Sequence, residues 1–273
     1  GQQDVKTFTF TAIPDQDETR LQERFGKVAD YLSEQLGVPV KYVPVKSYAA
    51  AVTAFRNNEV QLAWFGGLTG VQARLLVPDS QAIAQGYEDQ LFSSYFIAHS
   101  STGLEASDTF PDAIRGKSFT FGSKGSTSGR LMPEYFIREQ FGESPEQVFS
   151  RVGFSGDHSA TIALVQSGAY DVGAVNYQVW DQELANGEID TDKVKVIWQT
   201  PTYLDYHWVI RGDVNASFGN DFIAKVKSTL LAIDDKDLLA SFPQEKFVDA
   251  KNSDYQPIQD TAQAIGLLDA PAQ

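Results

Sequence analysis

The chain contains no cysteine, which removes disulfides, thiolate metal sites and cysteine nucleophiles together. That absence does not locate the protein, because many exported proteins of this size need no disulfide. Basic residues are scarce: 22 Lys and Arg stand against 36 Asp and Glu, a net charge of −14. Such a field opposes binding to nucleic acid or to an anionic membrane. It also repels small anions, so an anion site here must rely on local donors. No apolar run approaches the roughly 18 residues of a membrane span. The three histidines, His99, His158 and His207, are scattered without metal-ligand spacing, so neither a metal nor another cofactor is expected. The first residues, Gly1, Gln2 and Gln3, carry no signal peptide, and the chain reads as a mature form whose export signal has been removed.

What is present is material for two ordinary α/β domains, 273 residues with 42% hydrophobic content. Thr7 to Ile13 alternates as a half-buried strand does. A helix is predicted from Glu18 to Leu36 on the spacing of Leu21, Phe25, Val28, Leu32 and Leu36, with Gly37 as its stop. Val38–Val43 reads as a strand whose Pro39 places it near an edge. A short helix over Ser47–Asn57 and a buried strand over Gln61–Phe65 follow. The rhythm recurs further on, with strands at Ser94–Ala98, Lys117–Phe121, Asp171–Val175, Lys195–Trp198 and His207–Ile210. Helices are predicted after Gly129 and near Ser159–Gln166, Phe222–Ile233 and Gln256–Leu267. Strand and helix in alternation make parallel sheets covered by helices. Without a Pro- or Ser-rich tether between them, two such units are expected to be joined by strands, with ligands in the cleft between them.

The most informative stretch is Phe121-Gly122-Ser123-Lys124-Gly125-Ser126-Thr127-Ser128-Gly129. A buried strand runs into a flexible turn with three consecutive hydroxyls, then into a helix. That is an anion cradle, in which backbone N–H groups, the positive helix end and hydroxyls converge. The bland alternative, that Ser126 to Ser128 only cap a helix, stays open. Pro133 must lie in the first helical turn, since deeper it would remove a ladder bond. A serine nucleophile elbow is excluded because Thr127 occupies its centre, and no Gly-Lys-Ser or Gly-Lys-Thr phosphate loop exists. Asp205, Tyr206 and His207 are adjacent on a strand and cannot converge as a triad.

Taken in order, several segments resemble the periplasmic binding proteins of phosphonate/phosphite ABC transporters. They are Ala12-Ile13-Pro14-Asp15, Tyr48, Leu62 to Gly67, Ser94-Tyr95-Phe96, Gly125 to Gly129, Gly156-Asp157-His158, Asp171 to Asn176, and Thr200 to Tyr206. The nearest branch carries a selenate-binding label. The resemblance implies an α/β, type II periplasmic binding protein fold, with two lobes joined by two hinge strands and the ligand in the interlobe cleft. The lobes expected are residues 1–94 with 206–273, and 95–205, with crossings near 93–99 and 203–208. It further implies that Ser126, Thr127 and Ser128, Tyr48 and Tyr95, and His158 hold the oxygens of the ligand. Asn176 and Tyr177 stand where relatives that bind aminoethylphosphonate place an acid, so a cationic ligand tail is not expected.

If its side chain faces the cleft, and is not simply an exposed turn carboxylate, Asp205 discriminates among ligands. An ionised carboxylate beside an anion is unfavourable unless the ligand offers it a proton. Phosphite, phosphate and phosphonates keep a P–OH near neutral pH, whereas sulfate and selenate do not. Losing that bond in a dry site can change selectivity by a factor of roughly 10⁴–10⁵. Trp64, Tyr177, Tyr203 and Tyr206 are candidates for an apolar wall against P–H or a methyl group. The expectation is therefore a monomeric, exported solute-binding protein of the periplasm, free or lipid-anchored. It would deliver phosphite first and methylphosphonate second to ABC permease subunits. Selenate or another oxyanion, or a sensory module serving a membrane kinase, are the alternatives. An enzyme of phosphate esters would need a metal, an activated nucleophile or an arginine clamp, and none is visible.

Overall fold

Hydrophobic periodicity places the elements well. In the computed structural model, which describes residues 5–268, helix α1 runs over Glu18–Leu36, after strand β1 (Phe8–Ala12). Leu21, Phe25, Val28, Leu32 and Leu36 are all buried, and Gly37 closes α1 in the left-handed region at φ 70°, its N–H on the Ser33 carbonyl. β2 (Val40–Tyr42), α2 (Tyr48–Arg56), β3 (Leu62–Phe65), α3 (Gly67–Leu76) and β4 (Gln81–Gly86) complete the first run. Ser47 caps α2, its side chain accepting the Ala50 N–H at 3.0 Å.

The chain then builds β5 (Ser94–His99), β6 (Ser118–Phe121), α4 (Met132–Phe141), α5 (Pro145–Val148) and β7 (Arg151–Phe154). α6 (His158–Gln166), β8 (Val172–Asn176), α7 (Tyr177–Ala185) and β9 (Val194–Gln199) follow. It finishes with β10 (His207–Ile210), α8 (Val214–Phe218), α9 (Phe222–Leu231), α10 (Lys236–Ser241), β11 (Phe247–Asp249) and α11 (Gln256–Ala264).

Two compact units result. Among the described residues, the first comprises 5–91 together with Leu204–Asp260; the second comprises Phe92–Tyr203 and 261–268. The sheet of the first unit has the order β11-β4-β10-β3-β1-β2, and that of the second β7-β6-β8-β5-β9. The two share a plan. β1 pairs in parallel with β2 and β3, as β6 does with β7 and β8. The first strand formed after the chain enters each unit from the other breaks that direction. β5 lies antiparallel between β8 and β9, and β10 lies antiparallel between β3 and β4.

Strand alternation divides the core of the second unit into two. Phe96 and Ala98 of β5 join Phe119, Phe121 and Trp198 on one face, while Ile97 joins Ile162, Val175 and Trp180 on the other. In the first unit Phe10, Phe25 and Trp208 meet edge to face, a favoured geometry for aromatic rings. Pairs α3–β4 and α5–β7, and helices α7, α8 and α10, were not predicted from periodicity. Their segments are short, and α3 opens with Gly67 and carries Gly70, poor helix formers.

Candidate functional site

In the second unit, Ser126 to Ser128 form an unusually wide turn. The Ser126 carbonyl accepts both Arg130 N–H at 3.1 Å and Leu131 N–H at 2.9 Å, so Thr127–Leu131 is a π-helical turn ahead of α4. Proline explains part of this. Pro133 sits in the first turn of α4 and has no N–H for the Gly129 carbonyl that an α-helix would pair with it. That carbonyl takes the Gly122 N–H instead, at 2.9 Å, and ties the end of the loop back to its start. The Ser126 hydroxyl caps the turn by accepting the Gly129 N–H at 2.8 Å. Ser126, Thr127 and Ser128 are all buried.

His158, the first residue of α6, stands directly behind them and is fully buried. The Asn176 N–H points at its Nδ1 at 3.2 Å, so Nδ1 is the acceptor. In a neutral ring the proton is then on Nε2, which faces the Ser128 hydroxyl at 3.3 Å. Burial pushes the ring down to a pKa of about 3, so it stays neutral at physiological pH. His158 therefore donates to Ser128 Oγ, which leaves the proton of that hydroxyl for another acceptor. Gly129 permits the close approach: a Cβ there would sit 3.1 Å from His158 Cε1 and 2.8 Å from Ser126 Oγ.

The backbone of Ser128 is fixed from the other side. Ser94 Oγ donates to the Ser128 carbonyl at 2.6 Å and lies 2.6 Å from the Tyr203 hydroxyl, which must be the donor in that pair. Ser94, quoted among the resembling segments but not among the expected site residues, is thus the structural contact of the loop. Tyr95 does not join it. Adjacent strand residues point to opposite faces; its ring meets Tyr177 edge-on at 6.2 Å and its hydroxyl lies 3.4 Å from Asp181 Oδ1. Burial, and next the Asp181 charge, push that hydroxyl up to about 12. Asn176 uses its side chain to cap α7, accepting the Gln178 N–H at 2.7 Å and the Val179 N–H at 3.2 Å.

In the first unit the structure brings Trp64, Asp205 and Tyr206 together. Trp64 and Tyr206 stack at 5.5 Å with an 18° interplanar angle. The Tyr206 hydroxyl donates to Asp15 Oδ2 at 2.6 Å. Burial raises the Tyr206 hydroxyl well above its usual value, with Asp15 the next cause and Tyr48 and Asp205 contributing. Tyr48 is buried at the start of α2. Asp205 is buried, its Oδ1 accepting the Gly67 N–H at the start of α3 at 3.1 Å. Its backbone carbonyl, not its carboxylate, meets His207 Nδ1 at 2.9 Å. The imidazole of His207 instead stacks on Tyr255 at 3.6 Å, so no triad forms.

Two features of this unit were not among the expected site residues, although Asp15 was quoted in a resembling segment. Asp15 is a buried carboxyl whose proton affinity burial raises, with Arg24 opposing. Arg24 is itself buried, its Nε on the Ser241 carbonyl at 2.9 Å and its guanidinium 4.9 Å over Phe242. Asp89, fully buried, contacts the Asp205–Tyr206 backbone. Sequence alone shows only an acidic residue in a loop.

Chemically, the Ser126–Ser128 turn presents hydroxyl and backbone donors with a neutral histidine behind them, and the first unit presents carboxylate and phenol beside aromatic rings. The family model for the ABC transporter, phosphonate, periplasmic substrate-binding protein matches residues 10–255. A probable ABC transporter phosphite-binding protein of Prochlorococcus marinus is 43% identical over 270 residues, covering 96% of this chain and 91% of that one. The phosphate-import protein of Mycolicibacterium smegmatis is 26% identical over 259 residues, 89% of this chain and 75% of its own. A crystal structure of the Prochlorococcus protein in complex with methylphosphonate superposes with a TM-score of 0.92 at 42% identity, over 96% of this chain and 99% of that one.

Proposed function

The chain belongs to the periplasmic substrate-binding proteins of phosphonate ABC transporters, and from that premise we propose that its ligand is phosphite, with methylphosphonate next. It is the binding component of an importer, with the type II fold of its family, and not an enzyme. As an exported protein it hands its ligand to membrane permease subunits. In the proposal it does so as a monomer, with no role for nucleic acid, which its net charge of −14 disfavours.

The observation that carries the proposal is the hydroxyl turn backed by a neutral histidine. Ser126, Thr127 and Ser128 supply donors to the ligand oxygens, and His158 acts through Ser128. Asp205 accepts the P–OH proton, while Trp64 and Tyr206 offer an aromatic surface to P–H or P–CH₃. Tyr48 completes the proposed set; Tyr95, expected from the resemblance, is left out of it because its hydroxyl turns to Asp181. The ligand named for the relative 43% identical to this chain supports the ranking.

Calorimetric titration with phosphite, methylphosphonate, phosphate, sulfate and selenate, at two pH values and with Asp205→Asn as control, tests it. Tight binding of phosphite and methylphosphonate, lost in Asp205→Asn, with sulfate and selenate silent, is expected. Tight selenate binding would remove Asp205 from the ligand and overturn the ranking.

A further inference from the structure

Asp205 and Tyr206 do not hold themselves in place. The short 3-10 turn Glu88–Leu91 brings Asp89 against them, and every polar group of Asp89 described below is spent on that contact or on its support. Its backbone carbonyl accepts the Asp205 N–H at 3.1 Å. Its Oδ1 accepts the Tyr206 N–H at 3.3 Å. Its Oδ2 accepts from Gln244 Nε2 at 2.8 Å.

The Gln244 amide cannot turn round to offer its oxygen, because Oε1 already accepts the Glu88 N–H at 3.1 Å. Gly86 seals the arrangement: a Cβ there would run into both the Gln244 side chain and Asp89 Oδ2. Together with the Gly67 N–H on Asp205 Oδ1, these bonds fix the Asp205 carboxylate through its own backbone and through one of its oxygens. Burial, followed by the Asp205 charge, raises the proton affinity of Asp89, so the two carboxyls sense each other electrostatically.

We propose that Asp89 is a positioning residue for ligand specificity, which holds the Asp205–Tyr206 peptide so that the Asp205 carboxylate is a fixed acceptor for a protonated ligand oxygen. The inference rests on the assignment of Asp205 as the group that reads the ligand proton. A fixed acceptor rejects a fully ionised anion; a carboxylate free to swing away does not. Asp89 touches no ligand in this scheme and acts only through its neighbour.

The test is a mutant cycle in the full chain, read by calorimetry with phosphite and with sulfate. In Asp89→Asn the new amide faces Gln244 Nε2, donor against donor. Loss of that buried hydrogen bond is expected to weaken phosphite about 10-fold. In Asp89→Asn/Gln244→Glu an acceptor again faces a donor, and phosphite affinity is expected to return to within about 3-fold of wild type, the usual tolerance of such cycles. In an Asp205→Asn background, Asp89→Asn is expected to add less than about 2-fold, because neighbours acting in series are not additive. Wild-type phosphite affinity in Asp89→Asn would overturn the inference, as would an equal loss with and without the Asp205 carboxylate. If Asp89→Asn alone does not fold, the paired variant carries the test: affinity more than about 10-fold below wild type would overturn the inference, since restored hydrogen bonding should suffice. The two levels separate cleanly. Asp205→Asn with wild-type phosphite affinity removes the proton-reading assignment itself, whereas loss in Asp205→Asn without loss in Asp89→Asn removes only the role of Asp89.

Discussion

Replacing Ser128 by alanine separates two roles of one hydroxyl. That hydroxyl accepts from His158 Nε2 at 3.3 Å, and among the described residues it is the partner of this N–H. His158 is fully buried and neutral, with its Nδ1 committed to the Asn176 N–H. Truncation strands the N–H, at a cost of about 1–3 kcal/mol. For a chain of this size each kcal/mol corresponds to roughly 2–4 °C, so the melting midpoint should fall by roughly 2–12 °C. The turn itself should survive, because Ser94 still holds the Ser128 carbonyl at 2.6 Å and Ser126 still caps Gly129.

In the proposed complex, the same hydroxyl donates to an anionic oxygen. A hydrogen bond to a charged group contributes about 1.5–3 kcal/mol, which at 1.4 kcal/mol per decade is roughly 10- to 150-fold in Kd. Scanning calorimetry of the ligand-free variant and titration with methylphosphonate measure the two effects separately. A fall in midpoint with an unchanged Kd would refute the relay, because Ser128 would then serve only the histidine. A weakened Kd with an unchanged midpoint would mean that the bond to His158 is not made.

Two further outcomes follow from the same geometry. Gly129→Ala places a methyl 2.8 Å from Ser126 Oγ and 3.1 Å from His158 Cε1. The strain should remove about 1–3 kcal/mol and weaken methylphosphonate, whereas Gly122→Ala, whose Cβ meets nothing nearer than 3.6 Å, should do neither; equal effects in both variants would refute the packing account. The imidazole of His158 should remain the neutral Nε2–H tautomer in NMR spectra from pH 8 to pH 5, since its pKa is depressed to about 3. The unfolded chain takes up that proton near pH 6.5, so the contribution of His158 to stability is present above pH 6.5. It is lost as pH falls toward 3, at up to about 1.4 kcal/mol per pH unit. Denaturation of wild type and His158→Asn at pH 7.5 and 5.5 checks this, the variant losing less; a ring titrating near 6.5 would refute it.

Much of the fold was legible because its driving signal is local. The 3.6-residue spacing of Leu21, Phe25, Val28, Leu32 and Leu36 marked α1 to the residue, and the alternation in β1 and the apolar run of β3 marked two neighbouring strands. α3 was hidden because its first turn contains glycine, placed there by tertiary packing: a Cβ on Gly70 would collide with the buried His207 imidazole. β7 was hidden because only one of its residues, Val152, joins the core as a partly buried hydrophobic. At the site, hydroxyl density and Pro133 pointed to the Ser126–Ser128 turn, but not to its π-helical width, which depends on the distant Gly122 N–H taking the carbonyl that Pro133 cannot. Ser94 and Asp89 act through bonds spanning 34 residues or more. No spacing rule reaches that far.

The chemistry of the two units supplies a stricter statement about ligand class than either set of residues alone. The second unit offers hydroxyls and backbone N–H groups with a neutral histidine behind them, a set that favours anionic oxygen through dipoles rather than through a cation. Among the described residues, the first unit buries three carboxyls, Asp15, Asp89 and Asp205, together with the guanidinium of Arg24. Burial raises the proton affinity of Asp15 and of Asp89. That set favours a proton donor and penalises a bare anion. Under the proposed function, in which one ligand meets both sets, that ligand must carry several oxygen acceptors and at least one ionisable hydrogen near neutral pH. Monoanionic phosphite and methylphosphonate meet both demands, and sulfate and selenate fail the second. Phosphate meets both as well, so in the proposal what separates it from phosphite is the aromatic surface assigned to Trp64 and Tyr206, against which a fourth oxygen would lose its hydration without gaining a partner.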